Sequence, residues 1–98
     1  MKESRIQKQI IETIRRRGGY AIATTCPPCE YGTPDVLACY KGRALLIEVK
    51  TPVGRVSAIQ AKRLEQWRGA GAWAMVARSV EDVVTALDAL DKETECGS

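Results

Sequence analysis

Ninety-eight residues, 45% hydrophobic and 28% charged, describe one compact soluble domain with a single core; a multidomain enzyme is excluded, and no apolar run approaches the roughly 18 residues of a membrane span. The net charge of +3 conceals two unlike parts: residues 1–78 hold 14 Lys/Arg against 6 Asp/Glu, a balance of +8, and residues 79–98 hold 1 against 6, a balance of −5. A basic body attracts polyanions, nucleic acid above all, although solvating surface charge accounts for the same counts.

In chain order, Met1 to Arg5 lacks the apolar stretch of a signal peptide, which points to the cytoplasm. Residues 3–17 read as a helix, with Ile6, Ile10, Ile11 and Ile14 at helical spacing; Arg15, Arg16 and Arg17 oppose the negative end of its dipole, and Gly18 and Gly19 end it. Residues 20–25 (YAIATT) are rich in strand formers, and Pro27, Pro28, Gly32 and Pro34 make residues 26–34 a loop. Residues 35–40 and 43–50 are two strands joined by Lys41 and Gly42, a connection suited to an antiparallel hairpin. Ser57 and Gln60 have capping-box spacing and open a second helix to about Arg68, with Leu64 and Trp67 on one side. Residues 72–77 (AWAMVA) have buried-strand character, and Ser79 with Glu81 and Asp82 starts a last helix striped by Val80, Val83, Val84, Leu87 and Leu90. The order is αβββαβα in one α/β domain over residues 1–90, with 91–98 a frayed tail.

Of four cysteines, only Cys26 and Cys29 form a tight pair; Cys39 falls in a strand and Cys96 in the tail. One CxxC is half of a four-thiolate zinc site, and a redox motif belongs where a strand runs into a helix, whereas Glu30, Gly32 and Pro34 follow here. A turn with ordinary thiols, a reversible disulfide and a metal site all remain open.

The hairpin carries the chemistry. If its loop is Lys41 and Gly42, Tyr40 faces Arg43 and Asp35 faces Glu48, on the face that Glu48 shares with Leu46 and Lys50. Facing like charges destabilise a sheet, so the two acids need a cation. Lys50 supplies part of it, and two convergent carboxylates also describe a hard-metal site of the Mg²⁺ type; the plainer alternative is two exposed acids neutralised by solvent and Lys50. At about 100° per residue, Glu3 falls near Ile10 on the buried stripe, where an acid is costly unless it meets a cation, although a first-turn Glu also suits the helix dipole. Gln60 can point toward the end of the sheet from its helix, or simply cap Ser57; the two roles are compatible.

Gly32-Thr33-Pro34-Asp35, twelve further residues, and Glu48-Val49-Lys50 resemble the PD-(D/E)XK nuclease signature. More narrowly, GTPD, Lys41-Gly42, IEVKTP with Gly54-Arg55, and Ser57 to Gln60 in this order resemble the virus-type replication-repair nuclease (VRR-NUC) domain, over roughly residues 3–78. The resemblance implies a restriction-endonuclease-like core, a mixed sheet flanked by helices. It implies Mg²⁺, with Mn²⁺ as a substitute, held by Glu3, Asp35, Glu48 and the backbone carbonyl of Val49, and a catalytic lysine at Lys50. Gln60 joins Asp35, Glu48 and Lys50 as a candidate catalytic residue. CPPC is no part of the family pattern.

Stand-alone, phage-type members are similar in length to this chain and resemble Holliday junction resolvases that act as homodimers. A branched or junction DNA substrate, a homodimer and a phage or bacterial host cytoplasm are the corresponding expectations. A flap or nicking nuclease of phage replication and repair, and a catalytically silent DNA-binding module, are the alternatives. Arg15, Arg16, Arg17, Arg55, Lys62, Arg63 and Arg68 are the candidates for gripping the DNA backbone; they hold phosphate rather than read bases.

Overall fold

The computed structural model describes residues 2–24 and 31–96. Cys26 and Cys29 lie outside them. Among the described residues the order is α1 (Glu3–Arg16), β1 (Tyr20–Ala23), β2 (Val36–Tyr40), β3 (Arg43–Val49), α2 (Ala58–Gly69), β4 (Trp73–Ala77) and α3 (Val80–Cys96). The strands form one sheet in the order β1-β2-β3-β4, antiparallel except for the parallel pair β3 and β4. Parallel neighbours need a crossover, and α2 provides it.

The sheet is mixed and helices flank it on both faces, which explains why β3 is buried continuously from Leu45 to Val49 rather than alternately. On one face Leu45, Ile47 and Val49 pack with the Ile6, Ile10 and Ile14 stripe of α1 and with Val83, Leu87 and Leu90 of α3. On the other, Leu46 meets Leu64 of α2 and Ala74 of β4. Glu48 lies on this second face, one strand repeat beyond Leu46. No helix among the described residues is long and apolar enough to cross a membrane.

The last helix corrects an expectation. It runs on through Cys96 instead of fraying at residue 91. Asp91 accepts from Tyr40 Oη at 2.7 Å and pairs with Lys41 and Arg17, each at 2.8 Å, and Arg17 also meets Asp88 at 2.8 Å. These contacts join the far end of α1 and the hairpin turn to the acidic helix. Lys41, then Tyr40 and Arg17, hold the Asp91 carboxyl down at about 2 from its ordinary 3.8. A depressed carboxyl contributes stability that is complete above its unfolded-state pKa and lost as pH falls through the folded one. Asp91→Asn should therefore weaken the fold at neutral pH and flatten its loss of stability between about pH 4 and 2. Urea unfolding followed by circular dichroism across that range measures both; parallel curves for the two proteins would remove this role from Asp91.

Candidate active site

The hairpin turn sets the register. Lys41 and Gly42 both take positive φ, 49° and 80°, as a two-residue type I′ turn requires. Tyr40 consequently faces Arg43, and the pairing continues to Val36 and Ile47. One step further, Asp35 stands just before β2, opposite Glu48 near the end of β3. Its approach is fixed from the other side: Thr24 N–H donates to Asp35 O at 2.9 Å, continuing the β1–β2 ladder. Gly32 serves the same segment, because at φ 81° it lies against the backbone of Ile59 in α2, where an added Cβ would meet the Ile59 carbonyl at 2.9 Å.

Asp35 and Glu48 meet. Asp35 Oδ2 accepts the backbone N–H of Val49 at 2.8 Å. Glu48 is 2% exposed, its Oε2 accepts from Gln60 Nε2 at 3.2 Å, and Lys50 Nζ stands 3.8 Å from the same oxygen. The other oxygen, Glu48 Oε1, is buried without a hydrogen-bond partner, alone in this respect among the described side chains. Burial first, then Asp35, which accepts a hydrogen bond only from the protonated acid and repels the ionised one, push the Glu48 carboxyl up to about 8, against the opposing pull of Lys50. Lys50 thus falls short of balancing the site. An unsatisfied buried acceptor costs about 1–3 kcal/mol, more when charged. A hard divalent cation takes oxygen ligands and is often held by one or two carboxylates together with water and substrate phosphate, so this donor pair fits Mg²⁺.

One sequence expectation changes here. Glu3 is exposed rather than part of the buried stripe, because it opens α1 a full turn before Ile6, where the core ends. It adds a like charge that raises Glu48, but no group of three or more His, Cys, Asp and Glu side chains among the described residues is arranged to hold a metal ion. Gln60 performs both tasks considered for it. Its Oε1 accepts from Ser57 N–H at 2.9 Å while Ser57 Oγ accepts from Gln60 N–H at 3.2 Å, and its Nε2 remains for Glu48.

No protein-family model matches the chain, and no curated protein matches it significantly. Solved structures do. One described as a VRR-NUC domain is 26% identical, with TM-score 0.67 over 96% of this chain and 95% of that one. A VRR-NUC domain protein shares the fold at 19% identity, with TM-score 0.74 over 90% and 86%. Hjc of Archaeoglobus fulgidus, a Holliday junction resolvase from an archaeal hyperthermophile, is 28% identical, with TM-score 0.60 over 76% of this chain and 65% of that one. The chain has the VRR-NUC form of the PD-(D/E)XK nuclease fold.

Within this VRR-NUC fold the basic residues divide into two groups. Arg15, Arg16 and Arg17 close α1, about 20 Å along the helix from Glu3 at 1.5 Å per residue. Arg15 donates to Ala21 O and stacks on Tyr20, and Arg17 is committed to Asp88 and Asp91. Arg68 is likewise engaged, with Ala74 O and Glu65, at the end of α2 away from Gln60. Arg55, just before the α2 cap, and Lys62, in the first turns of α2, are exposed, and Arg63 reaches from α2 to Tyr31 O at 3.0 Å. Arg78 escaped sequence reasoning. It follows β4 next to the end of β3, and its guanidinium caps the carbonyls of residues 51 and 54. The parallel pairing of Val49 with Ala77 was the signal, because it places the residue after each strand side by side.

Proposed function

We propose that the chain is a metal-dependent, structure-selective DNA endonuclease that hydrolyses phosphodiester bonds, resembling a Holliday junction resolvase in its use of branched DNA. The observation that carries this reading is the meeting of half-buried Asp35 with buried Glu48, one of whose oxygens is unsatisfied and beside which Lys50 stands. Asp35, Glu48 and the carbonyl of Val49 are the ligands that would hold Mg²⁺ or Mn²⁺, with Glu3 on α1 the further ligand proposed from the family resemblance. The cation, when bound, supplies charge stabilisation at the phosphate and a water of lowered pKa. The chain's own groups do the rest. Lys50 orients the attacking water and balances charge developing on the phosphate oxygens. Gln60 holds the Glu48 carboxylate in place, and the Val49 N–H does the same for Asp35.

Arg55, Lys62 and Arg63 are the phosphate contacts nearest the site; Arg15, Arg16, Arg17 and Arg68 extend the positive field from the opposite end. A homodimer is the proposed assembly, since one site per chain must serve two strands of a junction. The half of the sheet that α2 leaves uncovered supports it: Tyr20, Ile22 and Leu37 are exposed there on one face. The cytoplasm of a phage or bacterial host is the proposed setting.

Supercoiled plasmid, flap, linear duplex and four-way junction, each incubated with Mg²⁺ or with EDTA, test the reading. Cutting of the junction in Mg²⁺ alone, to ends with 5′ phosphate and 3′ hydroxyl, is the expected result, and no cutting of any DNA with either Mg²⁺ or Mn²⁺ would overturn it. Preference for the flap by a protein that light scattering shows to be monomeric would replace the junction by a flap or nick. Gln60→Ala should lower both stability, by about 1 kcal/mol through the lost cap, and cleavage; a change in stability alone would leave Gln60 a capping residue only.

A further inference from the structure

Immediately beyond Lys50 the chain makes a closed turn over residues 51–54, in which Gly54 N–H donates to Thr51 O at 3.1 Å. Arg78 Nη1 reaches across to the carbonyls of Thr51, at 2.8 Å, and Gly54, at 2.6 Å, with Pro52 O at 3.5 Å. The base of this brace is itself anchored. Arg78 N–H donates to Asp82 Oδ2 at 2.8 Å, and Lys50 N–H donates to Ala77 O at 3.0 Å, so both Arg78 and the start of the turn are tied to the sheet and α3. Pro52 removes one further degree of freedom. Yet the turn does not bury its apolar tip: Val53 is 90% exposed, and exposed Arg55 follows it. A segment braced this firmly, beside the catalytic lysine, is organised to present Val53 rather than to pack it.

We propose that the 51–54 turn is a DNA-contacting wedge in which Val53 packs against an unstacked base at a branch point, Arg55 meets an adjoining phosphate, and Arg78 is the positioning residue that holds the turn. This rests on the nuclease reading above and adds to it the element that selects branched DNA. An intact duplex presents stacked bases, whereas a branch offers a base face that an apolar side chain covers favourably. Val53 is three residues from Lys50, at most about 10 Å of chain. At about 3.4 Å per nucleotide along a strand, the contacted branch lies within about three nucleotides of the bond that is cut.

Four-way junctions carrying 2-aminopurine at the branch, bound in EDTA, provide the test. Wild type should raise the fluorescence as the base unstacks, and Val53→Ser, a change at an exposed position, should abolish that rise. The same variant should lower the preference for junction over linear duplex by roughly tenfold, the worth of one buried Val side chain. Arg78→Lys, which keeps the charge but loses the multiple carbonyl contacts, should weaken both effects while Val53→Ile retains them. Wild-type fluorescence and wild-type preference in Val53→Ser would overturn the proposal, as would a Val53→Ser protein changed in oligomeric state alone. The two readings fail separately: wild type that binds and unstacks the junction but cuts no DNA keeps the wedge and loses the nuclease.

Discussion

Lys50→Ala is expected to lower junction cleavage in Mg²⁺ by about 10²- to 10³-fold, the scale of removing one preorganised charge-stabilising group, while the affinity for uncut junction changes little. Lys50 is held at the end of β3 with a side chain only 13% exposed, 3.8 Å from Glu48. Under the proposed mechanism a group so placed would act on the reacting phosphate rather than on the grip of the duplex, for which Arg55 and Lys62 are better exposed. Lys50→Arg should recover little, because a planar guanidinium does not fit the position of a compact ammonium. Rates under saturating protein, read beside binding in EDTA, separate the two effects. Equal cutting by wild type and Lys50→Ala would end the proposed mechanism, and parallel loss of binding and cutting would move Lys50 from chemistry to DNA contact.

Glu48→Gln is expected to make two opposite changes. Without metal it should stabilise the protein by about 1–3 kcal/mol above about pH 8, where the wild-type carboxylate is ionised and one of its buried oxygens lacks a donor, because a neutral amide can donate to Asp35 and still accept from Gln60 at any pH. For a domain of this size each kcal/mol is worth roughly 4–8 °C in melting temperature. Excess Mg²⁺ should raise the melting temperature of wild type and leave the variant unmoved, since binding to the folded state alone stabilises it. Cleavage should be lost. Thermal melts in EDTA and in Mg²⁺ read the first two outcomes without any DNA. A variant that is no more stable in EDTA, or that responds to Mg²⁺ as wild type does, would show that Glu48 is not where the cation sits.

The legible parts of this sequence were those governed by local rules. A two-residue Lys41-Gly42 turn dictates its own register, so the approach of Asp35 to Glu48 follows from spacing alone. The capping box at Ser57 and Gln60 was equally local, and Gln60 could be aimed at the sheet from the helix period. What escaped depended on how elements end against one another. Glu3 lies on the apolar azimuth of α1, but azimuth says nothing about where the core stops along the axis. Three consecutive arginines looked like a phosphate clamp; the acids that occupy Arg17 come from 71 and 74 residues away. Those same acids keep α3 helical past residue 90. Arg78 was counted as charge because its partners are backbone carbonyls, which leave no mark in a sequence.

Gln60 links the site to the helix least secured by the core, since Leu64 is the single buried side chain of α2. Elements with so little buried contact open locally long before the whole domain unfolds. Each time the first turn of α2 frays, the Ser57–Gln60 bonds break, Gln60 withdraws from Glu48, and the carboxylate loses its one side-chain donor of fixed geometry. Gln60 therefore couples the geometry of the Glu48 carboxyl to the closing of a single helical turn. Anything that clamps that turn would hold Gln60 against Glu48 as the structure shows it.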